Sequence, residues 1–348
     1  MTDLVIWAQS VCRSTMALYR EVKRQSECPV MVIVRKSEQG EAARQLREKQ
    51  GQGTIEYSDV VDGDWDGGIE TGREILAAHS GVGAVHVFSG YQVSEAIRHL
   101  IGEAHSMGLR TVVYDEAPCP VCVGIKATMK RLYYRWVLPL KVRETTKTAD
   151  LFLNASGRSG VKELMRLGWA KEKIIPFGYA SEDTFCRARH MEKVGTLRVL
   201  HTGVETEYRD IKTLVRAVTS LARDGIKIEL RRTGGIASLD ELAQLYEWAD
   251  VFVACGLCEP WGMRVNDAIH AGLPVVVSDG MGVACVVDEF GCGCVYKRGN
   301  ADELADILGK IARDGELVHR FESGVGRAHV AYLPNARAEV FLEHVMAG

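Results

Sequence analysis

Residues 245–279 read LYEWADVFVACGLCEPWGMRVNDAIHAGLPVVVSD. The run VFVA at 251–254 is wholly apolar and is bounded by Asp250 and by the break at Cys255-Gly256, so it reads as a buried strand. A helix opens near Gly262, continues through RVNDAIHAG and hands over to a second apolar run in LPVVVSD. Strand, turn, helix and strand in this order form a βαβ unit, whose strands lie parallel and whose sheet is covered by helices.

The same alternation extends in both directions. Upstream strand candidates are DLVIWA (3–8), PVMVIVRK (29–36), TIEYSDV (54–60), AVHVFSG (84–90), RTVVYDE (110–116), ADLFLNAS (149–156) and KIIPFGYA (173–180). Amphipathic segments such as MALYREVKRQ, EAARQLREKQ and SEAIRHLIGEAHSMG separate them. After a polar connection at 181–196 the pattern restarts with TLRVLHTG, IKIELRRTG, DVFVAC, LPVVVSD and CGCVYK, again with helices between. The expected fold class is α/β, with two doubly wound Rossmann-like domains facing each other across a cleft. Residues 1–185 form the first domain, 186–330 the second, and 331–348 a closing helix. A chain of 348 residues agrees with two cores rather than one.

Composition excludes several classes. The 43 Lys and Arg nearly balance the 46 Asp and Glu, so no overall basic charge marks a nucleic-acid binder. No stretch approaches the roughly 18 apolar residues of a membrane span. The start MTDLVIWAQS has no cationic leader, and the expected location is the cytoplasm. Neither first strand of a domain runs into GxGxxG, and GxxxxGK[ST] is absent, which removes most support from dinucleotide oxidoreductases and P-loop kinases. The two CxxC pairs, Cys119/Cys122 and Cys255/Cys258, lie too far apart for paired zinc knuckles. Buried reduced cysteine is the more economical reading of most of the ten.

The turn after VFVA carries Glu259, and Asp267 lies about one turn into the next helix. A helix N-terminus offers unpaired N–H groups and positive dipole character, which suit phosphate oxygens. Carboxylates flanking it accept hydrogen bonds from hydroxyls. The pair therefore suits a ligand with sugar hydroxyls on either side of a diphosphate. Alone, each acid is equally a dipole-favoured or solvated helix residue.

With Pro260, Trp261 and Gly262 between them and AGLPVVVSD following, these acids resemble the donor-site signature of GT-B glycosyltransferases of family 4. The retaining enzymes of that family carry two glutamates separated by seven residues, and here the second is Asp267. The resemblance is specific over 245–310, and looser upstream through YDEAP, ADLFLNASGRSGVKELMRLGWAKEKIIPFGYASEDTF and TLRVLHTGVETEYRDIKTLVRAV. It implies a nucleotide-sugar donor, a saccharide or lipid-linked saccharide acceptor, surface polysaccharide or glycoconjugate synthesis, and no metal or other cofactor. Glu259 would contact the transferred sugar, the backbone of Trp261, Gly262 and Met263 would hold sugar and distal phosphate, and Asp267 would bind the ribose. Glu116 would serve catalysis from the first domain, with Asp115 and Arg13 on the acceptor side. Gly203 and Arg209 would face the diphosphate.

The chain departs from the family at Val204, where relatives place Arg after the glycine. Arg13, Lys212, Arg231, Arg232 and Arg264 are the candidate substitutes, with Arg264 taken as donor-binding. The second domain lacks the family's extra strand and helix between IKIELRRTGG and SLDELAQLYEWAD, and the first has QSVCRS in place of Gly-Gly. These departures leave two alternatives open: a non-catalytic GT-B scaffold that binds a partner, and a sugar-nucleotide epimerase or hydrolase.

Residues 126–147, KATMKRLYYRWVLPLKVRETTK, carry Lys126, Lys130, Arg131, Arg135, Lys141, Arg143 and Lys147 against Glu144, with Tyr133, Tyr134 and Trp136 among them. Such a helix fits peripheral association with an anionic membrane, at its inner face, or packing on the sheet with a solvated basic side. Pro139 is expected to kink it.

Overall fold

The computed structural model describes residues 3–9, 12–38, 57–119, 124–185, 195–203, 206, 208–233 and 238–347. The chain divides into two compact units, one of residues 1–118, 129–180 and 334–348, the other of 119–128 and 181–333.

In the first unit seven parallel strands lie in the order β3-β2-β1-β4-β5-β6-β7. They are β1 (Leu4–Ala8), β2 (Val30–Arg35), β3 (Gly63–Trp65), β4 (Val85–Phe88), β5 (Arg110–Asp115), β6 (Leu151–Asn154) and β7 (Ile174–Pro176). Every residue of β1 is buried, and alternate side chains enter two cores: Val5 and Trp7 one, Leu4, Ile6 and Ala8 the other. A sheet covered on both faces explains why these strands read as continuous apolar runs. The Pro334–Met346 helix places Ala338, Phe341 and Val345 in the second of these cores.

The strand expected at 54–60 is not formed as such. Residues 54–56 lie outside the described residues, and Tyr57–Val60 make a turn closed by the Val60 amide on the Tyr57 carbonyl, 3.0 Å. The edge strand is Gly63–Trp65, paired to β2 through Val34 and Asp64. Alternating polarity at 54–60 imitates strand period, while Val60 is buried from a turn. The helical segment expected within 41–50 also lies outside the described residues.

Pro139 does not end the basic helix. The Leu138 amide reaches back five residues to the Tyr133 carbonyl, making a π turn over Tyr133–Val137 before the Leu138–Thr148 helix resumes. The wider turn accommodates a proline ring that would clash with the carbonyl four residues earlier in a regular helix.

In the second unit five parallel strands lie in the order β12-β11-β10-β8-β9. They are β8 (Leu197–His201), β9 (Ile228–Arg232), β10 (Val251–Ala254), β11 (Val275–Ser278) and β12 (Gly293–Tyr296). The chain runs from β8 outward to β9 and then crosses to β10 on the other side, so the direction of winding reverses between β8 and β10. At such a switch point the following helices diverge and leave a crevice at the strands' carboxyl ends. The Leu239–Trp248 helix that feeds β10 starts with a capping box between Ser238 and Glu241, legible in SLDE.

Candidate donor site

A recess opens at that switch point. It is lined by His201 and Thr202 from the end of β8, by Ala254, Cys255, Gly256 and Glu259 from the end of β10, and by Gly262, Arg264 and Val265 from the next helix. Arg209, Phe252 and Met281 complete it.

Backbone bonds fix the loop. The Asp210 amide donates to the Cys255 carbonyl (2.6 Å), Leu257 to Tyr208 (2.7 Å), Glu259 to Gly280 (2.9 Å) and Gly282 to Glu259 (3.0 Å). Gly262 caps the Met263–His270 helix at φ 116°, a left-handed conformation that L side chains avoid, and a Cβ there would stand 2.5 Å from Met281 Cε. Gly203 has φ 124°, and the guanidinium groups of both Arg209 and Arg264 occupy the space its side chain would need.

These two cations dominate the electrostatics. Arg209 Nη2 lies 3.9 Å from Glu259 Oε1. Arg264 Nη1 donates to the Thr202 carbonyl at 3.1 Å. Burial, and then the nearby Arg209, push the Arg264 pKa down, with Glu259 and Asp267 acting the other way. Among the described lining residues two guanidiniums face one carboxylate, so the recess favours an anion.

His201 was not foreseen from the sequence. Its Nδ1 lies 2.7 Å from the Val253 carbonyl, which assigns the ring proton to Nδ1, and Nε2 is buried without a partner. Burial lowers its pKa to about 4, so it is neutral at physiological pH. The signal was present in VLHTG, a histidine at the carboxyl end of a first strand.

The recess unites Gly203's neighbours Arg209 and Arg264 with Glu259 and Gly262. It does not include Asp267, Trp261 or Met263 among its lining. Asp267 lies one turn into the helix as expected, and its Oδ1 accepts from the Ser181 hydroxyl at 3.2 Å. The Trp261 ring is buried, donates to Asn266 Oδ1 at 3.0 Å and packs 5.8 Å from Tyr332, so its side chain builds the helix start from beneath. Met263 opens the helix. Val204 lies outside the described residues. Of the other candidate cations, Arg231 stacks 4.1 Å over the Trp248 ring.

In the first unit Asp115 and Glu116 stand at the carboxyl end of β5. Asp115 accepts from the Gly90 amide (3.0 Å) and the Glu116 amide (2.8 Å), yet burial outweighs these bonds and raises its pKa to about 7. Glu116 accepts from the Tyr179 hydroxyl at 3.1 Å. Arg13 is the first residue of the Arg13–Gln25 helix.

The cysteines differ from expectation. Cys255 and Cys292 are buried thiols, but Cys119 and Cys258, one from each CxxC, form a disulfide with Cα atoms 6.7 Å apart. Both belong to the second unit, and Cys258 immediately precedes Glu259. A pairing across 139 residues leaves no local trace in sequence.

Residues 225–325 match the family model described as glycosyl transferases group 1. No curated protein matches the chain. Solved structures do. Anabaena Alr3699/HepE in complex with UDP aligns with TM-score 0.67 at 11% identity over 100% of both chains. The lipopolysaccharide outer core galactosyltransferase WaaB, apo form, aligns with TM-score 0.68 at 9% identity over 99% of both. Sucrose-phosphate synthase from Thermosynechococcus elongatus aligns with TM-score 0.63 at 14% identity over 99% of this chain and 98% of that one. At these identities the likeness is one of fold. The chain therefore has the GT-B fold of two doubly wound α/β domains, and its glycosyl transferases group 1 segment spans the turn that carries Glu259, Gly262 and Arg264.

Proposed function

We propose that this chain is a nucleotide-sugar-dependent glycosyltransferase, a hexosyltransferase of family 4 that acts with retention. The observation that carries the proposal is the convergence of Arg209 and Arg264 beside Glu259 at the start of the Met263–His270 helix, at the switch point of the second sheet. The UDP and UDP-glucose named with the HepE structures support the choice of donor class.

In this reading the donor diphosphate lies against the two guanidiniums and the helix N-terminus, with the sugar hydroxyls toward Glu259 and the ribose toward Asp267. The bond between the anomeric carbon and the phosphate oxygen breaks, and the nucleoside diphosphate leaves with the electron pair. The two arginines and the helix dipole stabilise the departing charge, so the step asks for no metal or other cofactor. The acceptor hydroxyl then forms the new glycosidic bond on the same face as the leaving group. Its proton passes to a base, the role proposed for Glu116, with Asp115 and Arg13 on the acceptor side. The acceptor is a saccharide or lipid-linked saccharide of surface polysaccharide or glycoconjugate synthesis.

Exposure in the basic segment supports a membrane-bound acceptor reached from the cytoplasm. Met129, Leu132, Trp136 and Leu140 recur at helical spacing and are 67%, 54%, 63% and 73% exposed, while Leu138 and Val142 on the other side are buried. Lys130, Arg131, Arg135, Lys141 and Arg143 flank this stripe and are also exposed. An apolar ridge bordered by cations suits an anionic interface, where each cation contributes ~1 kcal/mol. No described helix is long and apolar enough to cross a membrane. Sedimentation with phosphatidylglycerol vesicles at low salt is expected to carry the protein down, and Trp136→Ser with Leu140→Ser to leave it in the supernatant. Equal recovery of both proteins in the pellet would discard this surface.

Incubation with a panel of nucleotide sugars tests the activity itself. Nucleoside diphosphate should appear from at least one donor and rise when the correct acceptor is added. Donor binding without any release would point to the scaffold instead, and an altered or free sugar from donor alone to the epimerase or hydrolase.

A further inference from the structure

Three elements of the second unit converge away from the recess lining. Asp183 comes from the segment that follows Ala180, His270 from the last position of the Met263–His270 helix, and His329 from the Gly315–Tyr332 helix. The Nδ1 atoms of the two imidazoles stand 2.8 Å apart. His329 Nε2 lies 3.8 Å from Asp183 Oδ2, and one ligand-capable atom from each residue falls within 4.8 Å of the others. Both imidazoles are buried, whereas the Asp183 carboxylate reaches solvent.

We infer that Asp183, His270 and His329 form a binding site for a zinc-class divalent cation, held by two imidazole nitrogens and one carboxylate oxygen, with water completing four-coordination. Bonds of about 2.0–2.1 Å in a tetrahedron place ligand atoms roughly 3.3 Å apart. One ligand atom from each residue lies within 4.8 Å of the others, so an ion draws the three side chains inward to close the set. Two imidazoles favour zinc, cobalt or nickel over calcium or magnesium, which prefer oxygen.

The ion is structural, separate from the proposed transfer chemistry and independent of it. Ser181 is already tied to the same two helices, its amide to the Tyr332 carbonyl (3.0 Å) and its hydroxyl to Asp267. An ion at Asp183 fastens this segment a second time, two residues further on, to the helix that presents Asp267.

Titration of the full-length, chelator-treated protein with Co²⁺ tests the site without reference to activity. The inference expects one equivalent bound, visible d–d absorption of a four-coordinate nitrogen and oxygen set, no near-ultraviolet thiolate band, and displacement by Zn²⁺. It also expects the thermal midpoint to rise with metal. Asp183→Asn should weaken Co²⁺ binding at least tenfold, and His329→Gln should abolish the d–d band. Should His329→Gln fail to fold, the surface variant Asp183→Asn decides alone. No visible band in the parent protein, a thiolate-dominated band, or a spectrum and affinity unchanged in Asp183→Asn would overturn the site.

Discussion

Replacing Glu259 by Gln is expected to lower sugar transfer by about 10²–10³-fold, the loss typical of removing one pre-placed electrostatic partner from a transition state. The effect belongs to turnover rather than to folding or donor capture. The loop is held by the Glu259 amide on Gly280 and the Glu259 carbonyl on Gly282, both of which survive the change. The side chain faces Arg209 at 3.9 Å, so neutralising it leaves the recess more positive. Affinity for a nucleoside diphosphate should therefore hold or tighten while the rate collapses. Parallel measurement of kcat and of diphosphate Kd checks this separation. Unchanged kcat would remove Glu259 from the chemistry, and parallel loss of kcat and affinity would make it a fold residue.

Arg264→Gln is expected to weaken nucleoside diphosphate binding by about 10–100-fold, in line with roughly 1.5–3 kcal/mol for a hydrogen bond to a charged group. Loss of Arg209 in addition should bring affinity near that of the bare nucleoside. The free protein should not suffer. The Arg264 guanidinium is held largely out of water beside a second cation, and burial pushes its pKa down, so removing its charge relieves a cost. The expected pattern is an unchanged or raised Tm without nucleotide, a smaller rise in Tm on adding diphosphate, and an undiminished affinity for the nucleoside. Calorimetry with nucleoside, monophosphate and diphosphate separates these. Equal weakening for all three would assign Arg264 to general packing.

Much of the fold was legible because both sheets are buried on two faces. Runs such as VFVA and PVVVS, short and bounded by turn residues, read as strands buried on both faces, and their spacing by amphipathic segments points to parallel winding. Errors fell where local pattern and tertiary placement part, as at 54–60, where an alternating stretch ends in a turn and the edge strand is the three-residue Gly63–Trp65. The turn after β10 was legible to the residue at Glu259 and Gly262, both of which line the recess. Arg264, taken as donor-binding, does line the recess, but nothing in the sequence separated it from the other candidate cations. Arg264 reaches Gly203 because the first turn of its helix points across the switch point, a proximity of 61 positions that nothing in either segment announces. The Cys119–Cys258 pairing and the His270–His329 contact are long-range in the same sense.

The most direct test of the account is isothermal titration of the protein with a panel of nucleoside diphosphates and their sugar conjugates, repeated on the Arg209→Gln, Arg264→Gln double variant. The account predicts saturable binding of at least one diphosphate at a single site and its loss in the double variant. No binding by any member of the panel, or binding that survives removal of both guanidiniums, would contradict it.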